Sequence, residues 1–205
     1  MSNTTSLRTP GTPFPAGLLL APGASAGSHQ PALVAIDGAV AATGTVVQRI
    51  DFPYHLEGRR RPDPPRVLVA TVRDAAHALA DRLGVPTEQL ALGGRSMGGR
   101  MCSLAVAEGL PAAALVLVSY PLHPPGRPDQ RRVAHFPELH LPCLFLSGTR
   151  DAFGAPEELE AATAAIPGPV THRWVDGGDH GLRGRDDVVA AEVAGWLQAL
   201  GAGGA

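Results

Sequence analysis

The chain has 205 residues, 44% of them hydrophobic and 18% charged, which is the composition of a globular protein rather than of a disordered or fibrous one. Its formal net charge of −2 provides no basic field for nucleic acid or an acidic membrane surface, and all 17 positively charged side chains are arginine. Cys102 and Cys143 lie in apolar segments without the spacing of a metal or redox motif, so we expect buried free thiols.

The two ends of the chain differ from its middle. Residues 1–15 are polar and rich in proline, and they lack the cationic start and apolar run of a signal peptide, so we expect a cytoplasmic protein with a flexible N-terminal tail. The apolar run at 18–21 is too short to span a bilayer. We predict one domain over residues 16–200 and a short flexible tail at 201–205.

Short apolar runs alternate with longer amphipathic segments along this domain. Several of the short runs are apolar throughout, which is typical of strands that are covered on both faces. The longer segments have apolar residues at three- and four-residue steps, as expected for helices with one buried face. In chain order, the predicted strands are 17–21, 45–50, 89–92, 114–119, 143–147 and 170–175, and the predicted helices are 29–42, 66–83, 97–109, 156–166 and 186–200.

This order of elements predicts an α/β fold, with a mainly parallel sheet of about six strands and helices on both of its faces. Two proline-rich segments, 51–65 and 120–142, follow predicted strands and are predicted as loops. Loops at the carboxyl ends of parallel strands line the ligand crevice of such folds. The two segments contain six arginines that would favour an anionic substrate if they faced the crevice, although solvated surface is the commoner position of this residue: Arg59, Arg60, Arg61, Arg127, Arg131 and Arg132.

Between the third predicted strand and the third predicted helix, the residues Gly94-Arg95-Ser96-Met97-Gly98 have the spacing G-x-S-x-G. In a strand–turn–helix of this kind the serine adopts a strained backbone conformation, and the glycines leave room for the sharp turn. Its hydroxyl then lies at a helix N-terminus, whose free N–H groups stabilise a developing oxyanion. The stretch lacks the spacing of a dinucleotide fingerprint, and a phosphate-binding loop would need a lysine, which the chain does not contain.

A serine nucleophile needs a base and an orienting carboxylate, which in this architecture follow it in the order Ser, Asp or Glu, His. Asp151 comes just after the fifth predicted strand, in GTRDAFG, and His180 just after the sixth, in DGGDHGL. We predict that Ser96 attacks, that His180 transfers the proton and that Asp151 orients His180. Asp176 and Asp179 remain alternatives for the orienting carboxylate.

Two backbone N–H groups are predicted to hold the oxyanion. One is the amide of Met97, directly after the serine, and the other is the amide of Ala24 in LLLAPGASAG, where Gly23 lets the backbone approach.

The predicted acidic residues also have alternative roles. Asp151 could act only as the cap of the helix that begins near Pro156. The segment DGGDH could belong to a metal cluster, but no further Cys, His or acidic group has ligand spacing, so we expect no metal and no cofactor.

With these residues assembled, the chain resembles the α/β-hydrolase superfamily, and within it a group of small predicted hydrolases related to dienelactone hydrolase and to the testis-expressed hydrolase-like proteins. The resemblance rests on APGASAG, DFPYHLEGRRRP, GGRSMGGRM, YPLHPPGRP, GTRDAFG and GGDHGL, and it covers about residues 16–200. It implies the α/β-hydrolase fold, a triad of Ser96, Asp151 and His180, and hydrolytic activity.

The chain departs from this family pattern at two points. Pro22 stands where a histidine usually precedes the oxyanion glycine and braces its loop. The nucleophile is a serine, whereas dienelactone hydrolases use cysteine, so their substrate is not carried over. The superfamily's helical caps are usually inserted where 120–142 stands here, and this segment is too short and proline-rich to form one, so we expect no cap domain and a shallow pocket for short acyl chains.

The sequence therefore predicts a hydrolase for a carboxylic ester, thioester or similar acyl bond of a small molecule, with neither nucleic acid nor a membrane as a partner. The main alternative is a non-catalytic protein of the same fold that binds a small ligand or a protein, because a fold does not determine chemistry. A serine peptidase or an acyltransferase that uses the same three residues is a further alternative.

Overall fold

The structure is a computed structural model that describes residues 15–202. Within this range six parallel strands form one sheet in the order β2-β1-β3-β4-β5-β6, so each predicted strand is present. The third strand runs three residues further than predicted, into the G-x-S-x-G motif. The strands are β1 Gly17–Ala21, β2 Val46–Arg49, β3 Leu90–Arg95, β4 Ala114–Val118, β5 Cys143–Gly148 and β6 Val170–Val175.

All five predicted helices are confirmed, with ends that differ from the prediction by a few residues. A further helix of four residues lies in segment 51–65, so the prediction of a loop was wrong there. Its first turn accommodates Pro53, which has no N–H to lose, and Asp63 accepts a hydrogen bond from the Tyr54 N–H. The helices are α1 Pro31–Ala41, α2 Pro53–Leu56, α3 Pro65–Leu83, α4 Met97–Ala107, α5 Pro156–Thr163 and α6 Asp186–Ala202.

Helices cover both faces of the sheet, as the sequence predicted. Buried residues of α1 and α6, such as Leu33 and Val189, form one core with the sheet. Buried residues of α3, α4 and α5, such as Leu68, Met101 and Leu159, form the other core. The segment 120–142 contains one 3₁₀ turn, Phe136–Glu138, and no cap domain is present in residues 15–202.

The predicted flexible tails lie outside the described residues, except for residue 15 and for residues 201 and 202, which continue α6. Among residues 15–202, no helix is both long enough and apolar enough to cross a membrane.

The parallel register brings the ends of several strands to one edge of the sheet. Ala21 pairs with Gly94 and Arg95 pairs with Val118, so the loop after β1 lies beside the turn after β3. The approach is close, because a Cβ at Gly94 would meet the carbonyl oxygen of Ala21, and one at Gly98 would meet the same oxygen. The loops after β5 and β6 leave the sheet at the same edge.

Candidate active site

Ser96 occupies the sharp turn between β3 and α4. Its φ of 51° and ψ of −116° lie in a region that costs a non-glycine residue on the order of 1–3 kcal/mol. The Ser96 N–H donates to the Val118 carbonyl at 2.8 Å, which ties the turn to the neighbouring strand. The close contact between the motif glycines and β1 holds the same turn from the other side. The backbone is therefore strained at the residue that the motif predicts to be the nucleophile.

The structure brings Ser96, His180 and Asp151 together. Ser96 Oγ lies 2.9 Å from His180 Nε2, and His180 Nδ1 lies 2.9 and 2.8 Å from the two carboxylate oxygens of Asp151. The Asp151 side chain is only 1% exposed, and its Oδ1 also accepts the Phe153 N–H at 2.8 Å. The Phe153 ring stacks on the His180 imidazole, with 3.9 Å between centroids. The imidazole is thus held between a carboxylate, an aromatic ring and the serine.

The alternative carboxylates have other partners. Asp179 Oδ1 accepts the N–H groups of Gly181 and Leu182 at 2.8 and 3.0 Å, which shapes the turn after His180. Asp176 Oδ1 lies 3.3 Å from Thr149 Oγ1. Asp151 is therefore the aspartate that contacts the His180 ring.

Arg95, which sequence reasoning did not single out, holds the loop of His180 in place. Its Nη2 donates to the His180 backbone carbonyl at 2.6 Å, across 85 positions of sequence. Burial lowers the pKa of the Arg95 guanidinium, and the charges of Asp151 and Asp179 act in the opposite direction. In the sequence, the position of Arg95 directly before Ser96 indicates that it lies near the site, but it does not reveal that its partner is the His180 carbonyl.

The loop after β1 is braced at two points. The Tyr54 hydroxyl donates to the Ala24 carbonyl at 2.8 Å, and Gln30 Oε1 accepts the Gly23 N–H at 3.2 Å. Burial raises the pKa of the Tyr54 phenol, which keeps it protonated as a donor. Tyr54 and Gln30 therefore supply bracing in this loop, where Pro22 replaces the histidine of the family pattern.

The two residues whose amides are predicted to hold the oxyanion, Met97 and Ala24, line the same cavity as Ser96. Met97 is the first residue of α4, so its N–H has no acceptor in a preceding helical turn. The Ala24 N–H makes no hydrogen bond to another of the residues 15–202. Two residues of this cavity therefore have backbone N–H groups without an acceptor among the described residues.

A cavity of about 440 Å³ opens over Ser96 and His180. This volume is within the range of about 300–1,000 Å³ that is usual for small-molecule sites. As predicted, both proline-rich segments contribute to its wall: 51–65 through Pro62 and Asp63, and 120–142 through Pro121 and other residues.

Of the six arginines that the sequence placed in the two proline-rich segments, one lines the cavity. Arg132 lines it, as do Arg95 and Arg100 from the serine motif and the start of α4, which the sequence analysis did not consider. The other five predicted arginines do not: Arg59, Arg60 and Arg61 line a neighbouring groove, and Arg127 and Arg131 are exposed.

A second serine–histidine pair lies nearby, with Ser103 Oγ 2.8 Å from His135 Nε2. Ser103 is fully buried, and among residues 15–202 no carboxylate contacts His135. Burial and the charge of Arg100 lower the pKa of His135 to about 4. Of the three histidines in segment 120–142, His123 is buried, His135 packs against α4 and His140 is exposed.

Residues 15–198 match a protein family described as an alpha/beta hydrolase domain. The chain belongs to the α/β-hydrolase superfamily. This confirms the resemblance found in the motifs at the level of the superfamily.

Solved structures of other α/β hydrolases share the fold at low sequence identity. A serine hydrolase homologue from Coxiella burnetii is 18% identical, with a TM-score of 0.72 over 93% of this chain and 88% of that one. Est1E from Butyrivibrio proteoclasticus, solved with bound ferulic acid, is 15% identical, with a TM-score of 0.76 over 90% and 88%. A dienelactone hydrolase from Anabaena variabilis is 18% identical, with a TM-score of 0.72 over 93% and 88%.

Proposed function

We propose that this α/β hydrolase is a serine hydrolase that cleaves a carboxylic ester, a thioester or a similar acyl bond of a small molecule. The observation that carries the proposal is the continuous chain of contacts from Ser96 through His180 to Asp151, at distances of 2.8–2.9 Å. A serine hydroxyl is a weak nucleophile until a base is within hydrogen-bond reach, and the base must in turn be oriented by a third group.

In the first half of the reaction, Ser96 Oγ attacks the acyl carbon while His180 Nε2 takes the hydroxyl proton. Asp151 accepts the Nδ1–H of His180, which selects the tautomer with a free Nε2 lone pair and stabilises the imidazolium. The carbonyl oxygen gains negative charge, and the N–H groups of Met97 and Ala24 stabilise it by donating hydrogen bonds. The carbon–leaving-group bond then breaks as the imidazolium returns its proton to the leaving group.

In the second half, His180 removes a proton from water, and the resulting hydroxide attacks the acyl-serine ester. The same backbone amides stabilise the second oxyanion, and Ser96 recovers its proton from His180 as the acid is released. The exposure of the His180 side chain, at 20%, is compatible with access of water to this nitrogen.

The cavity favours short acyl chains. It holds about 440 Å³, and Pro62, Asp63 and Arg132 bring polar or short side chains to its wall. A long alkyl chain would extend into solvent, where each unburied methylene forgoes the gain of about 0.8 kcal/mol that burial would give. We therefore expect the highest kcat/KM among p-nitrophenyl esters from acetate to hexanoate, and a maximum at palmitate would contradict this part of the proposal.

A fluorophosphonate probe tests the proposed nucleophile. We expect the wild-type protein to be labelled and to hydrolyse p-nitrophenyl esters, and Ser96→Ala to lose labelling and several orders of magnitude in turnover. Ser103→Ala is the matched control, because Ser103 also contacts a histidine and lies on α4. It should keep both properties. Equal labelling of the wild type and Ser96→Ala would refute the assignment, and a folded wild type without either property would favour the non-catalytic alternative.

A further inference from the structure

The cavity over Ser96 has an excess of positive charge in its wall. Arg95, Arg100 and Arg132 line it, and Asp63 is the one acidic residue among the described residues that do. Asp63 is already engaged, because its Oδ1 lies 2.8 Å from Arg59 Nη1. Within residues 15–202, none of the three lining arginines forms an ion pair with a carboxylate.

The guanidinium groups of Arg100 and Arg132 are partly desolvated and close enough to interact. Burial lowers the pKa of Arg132, and the positive charge of Arg100 lowers it further. Arg100 Nε is fully buried and has no hydrogen-bond partner among the described residues. Partly buried like charges and an unpaired donor are unfavourable unless an anion or another acceptor joins them.

Both arginines have a fixed backbone. Arg100 lies in the first turn of α4, four residues after Ser96, whose carbonyl accepts the Arg100 N–H at 3.1 Å. The Arg132 N–H donates to the Leu122 carbonyl at 2.8 Å, and the Arg132 carbonyl accepts the Tyr120 hydroxyl at 2.7 Å. The segment 120–142 therefore holds Arg132 against the cavity without a helix or a strand.

We propose that Arg100 and Arg132, with Arg95 lining the same cavity, form a subsite for a carboxylate group carried by the substrate. Guanidinium groups bind carboxylates through paired, charge-assisted hydrogen bonds, and a carboxylate between the two would offset their mutual repulsion. The inference rests on the proposed function and narrows its substrate class to esters or thioesters with an anionic acyl or leaving group.

Matched ester pairs test the subsite. p-Nitrophenyl hydrogen glutarate and p-nitrophenyl pentanoate have acyl chains of equal length that end in a carboxylate or a methyl group. 4-Acetoxybenzoate and its methyl ester place the charge on the leaving group instead. Ser96→Ala serves as the blank for spontaneous hydrolysis. In one of the two pairs, we expect kcat/KM to be about 10 times higher or more for the anionic ester than for the neutral one. The pair that shows this preference identifies whether the acyl group or the leaving group carries the anion.

Single substitutions assign this preference to residues. Arg132→Gln and Arg100→Gln should each lower the ratio by about 10-fold, toward 1, because a lost charge-assisted hydrogen bond has an effect of at least that size. Arg131→Gln removes the same charge from the position before Arg132, where the side chain is exposed, and should leave the ratio unchanged. The ratio does not depend on the folded fraction of a variant, so partial misfolding cannot imitate the effect. An unchanged ratio in both cavity variants would overturn the proposal.

Binding to the inactive protein separates this inference from the proposed function. Ser96→Ala should bind glutarate in a calorimetric titration, and Ser96→Ala combined with Arg132→Gln should not. If no ester is hydrolysed but glutarate binding depends on Arg132, the subsite is supported and the proposed function fails. If esters are hydrolysed without preference and glutarate does not bind, the proposed function stands and the subsite is refuted.

Discussion

Asp151 has the most constrained environment of the three side chains at the candidate site. Its carboxylate is 1% exposed and accepts hydrogen bonds from the Phe153 N–H and from His180. A buried carboxylate needs such partners, since an unpaired one would be strongly destabilising. Its contact with Nδ1 leaves Nε2 of His180 for Ser96. Asp151 therefore acts through the histidine and does not reach the serine itself.

Replacement of this carboxylate tests its role at the level of a single residue. We expect Asp151→Asn to lower kcat by about 10²- to 10⁴-fold, because the amide favours the wrong tautomer of His180 and cannot stabilise the imidazolium. The Asn side chain can still accept the Phe153 N–H, so the loop should stay folded. Steady-state kinetics on a p-nitrophenyl ester, with circular dichroism as a check of folding, measures the effect.

Asp179→Asn is the matched control for this experiment. Asp179 lies one residue before His180, but it accepts backbone N–H groups of its own turn. An asparagine oxygen can replace those contacts, so kcat should change by no more than about threefold. A larger loss in Asp179→Asn than in Asp151→Asn would show that the wrong aspartate has been assigned to the histidine.

At the level of elements, the site depends on how closely α4 approaches β1. Gly98 lies in the first turn of α4, and a Cβ there would meet the carbonyl oxygens of Ala21 and Pro22. These are backbone atoms of a central strand and its loop, which cannot move aside as a side chain can. The second glycine of the G-x-S-x-G motif therefore allows the contact between helix and strand that brings Ser96 beside the Ala24 loop.

A pair of glycine substitutions measures the importance of this contact. Gly98→Ala should lower the free energy of unfolding by about 2 kcal/mol or more, as overpacking of a well-packed core does, and should also lower esterase activity. Gly195→Ala on the exposed side of α6, where a Cβ has no neighbour within 4 Å, should raise stability by about 0.5–1 kcal/mol. Urea unfolding monitored by circular dichroism compares both variants with the wild type. Equal stability of Gly98→Ala and wild type would disprove the close-packing explanation.

For the whole molecule, the partly buried His135, which pairs with Ser103, predicts a dependence of stability on pH. His135 has a pKa of about 4, lowered first by burial and then by the charge of Arg100, against an ordinary value of about 6.5. Between these two values the unfolded chain binds a proton at this residue and the folded protein does not. Stability should therefore fall as the pH decreases from about 6.5 to 4, and His172, whose pKa burial also lowers, acts in the same direction.

The contribution of His135 can be isolated by a difference measurement. We expect it to be on the order of 1–2 kcal/mol, after allowance for solvent screening at a ring that is only partly buried. The loss of unfolding free energy between pH 7 and pH 4.5 should be smaller by this amount in His135→Gln. His140→Gln, at an exposed histidine of the same segment, should retain the wild-type loss. An identical pH dependence in His135→Gln and wild type would contradict the argument.

The sequence by itself determined the order of strands and helices and the three side chains of the candidate site. Apolar periodicity is a local property, and parallel strands bring their carboxyl ends to one edge, so Asp151 and His180 could be placed near Ser96 from their positions after β5 and β6 alone. The prediction of a loop was wrong at α2, because a proline-rich segment is compatible either with a loop or with a helix that starts at Pro53.

Only the tertiary structure decided which other side chains reach the site. Arg95 holds the carbonyl of His180 from 85 residues away, Tyr54 braces Ala24 from 30 residues away, and Arg100 and Arg132 meet in one cavity. In the sequence these residues are an arginine in a glycine-rich motif, a tyrosine after a proline and two arginines with no evident partner. Their roles depend on side-chain direction and on contacts between segments that fold together, and neither property is encoded in local composition or periodicity.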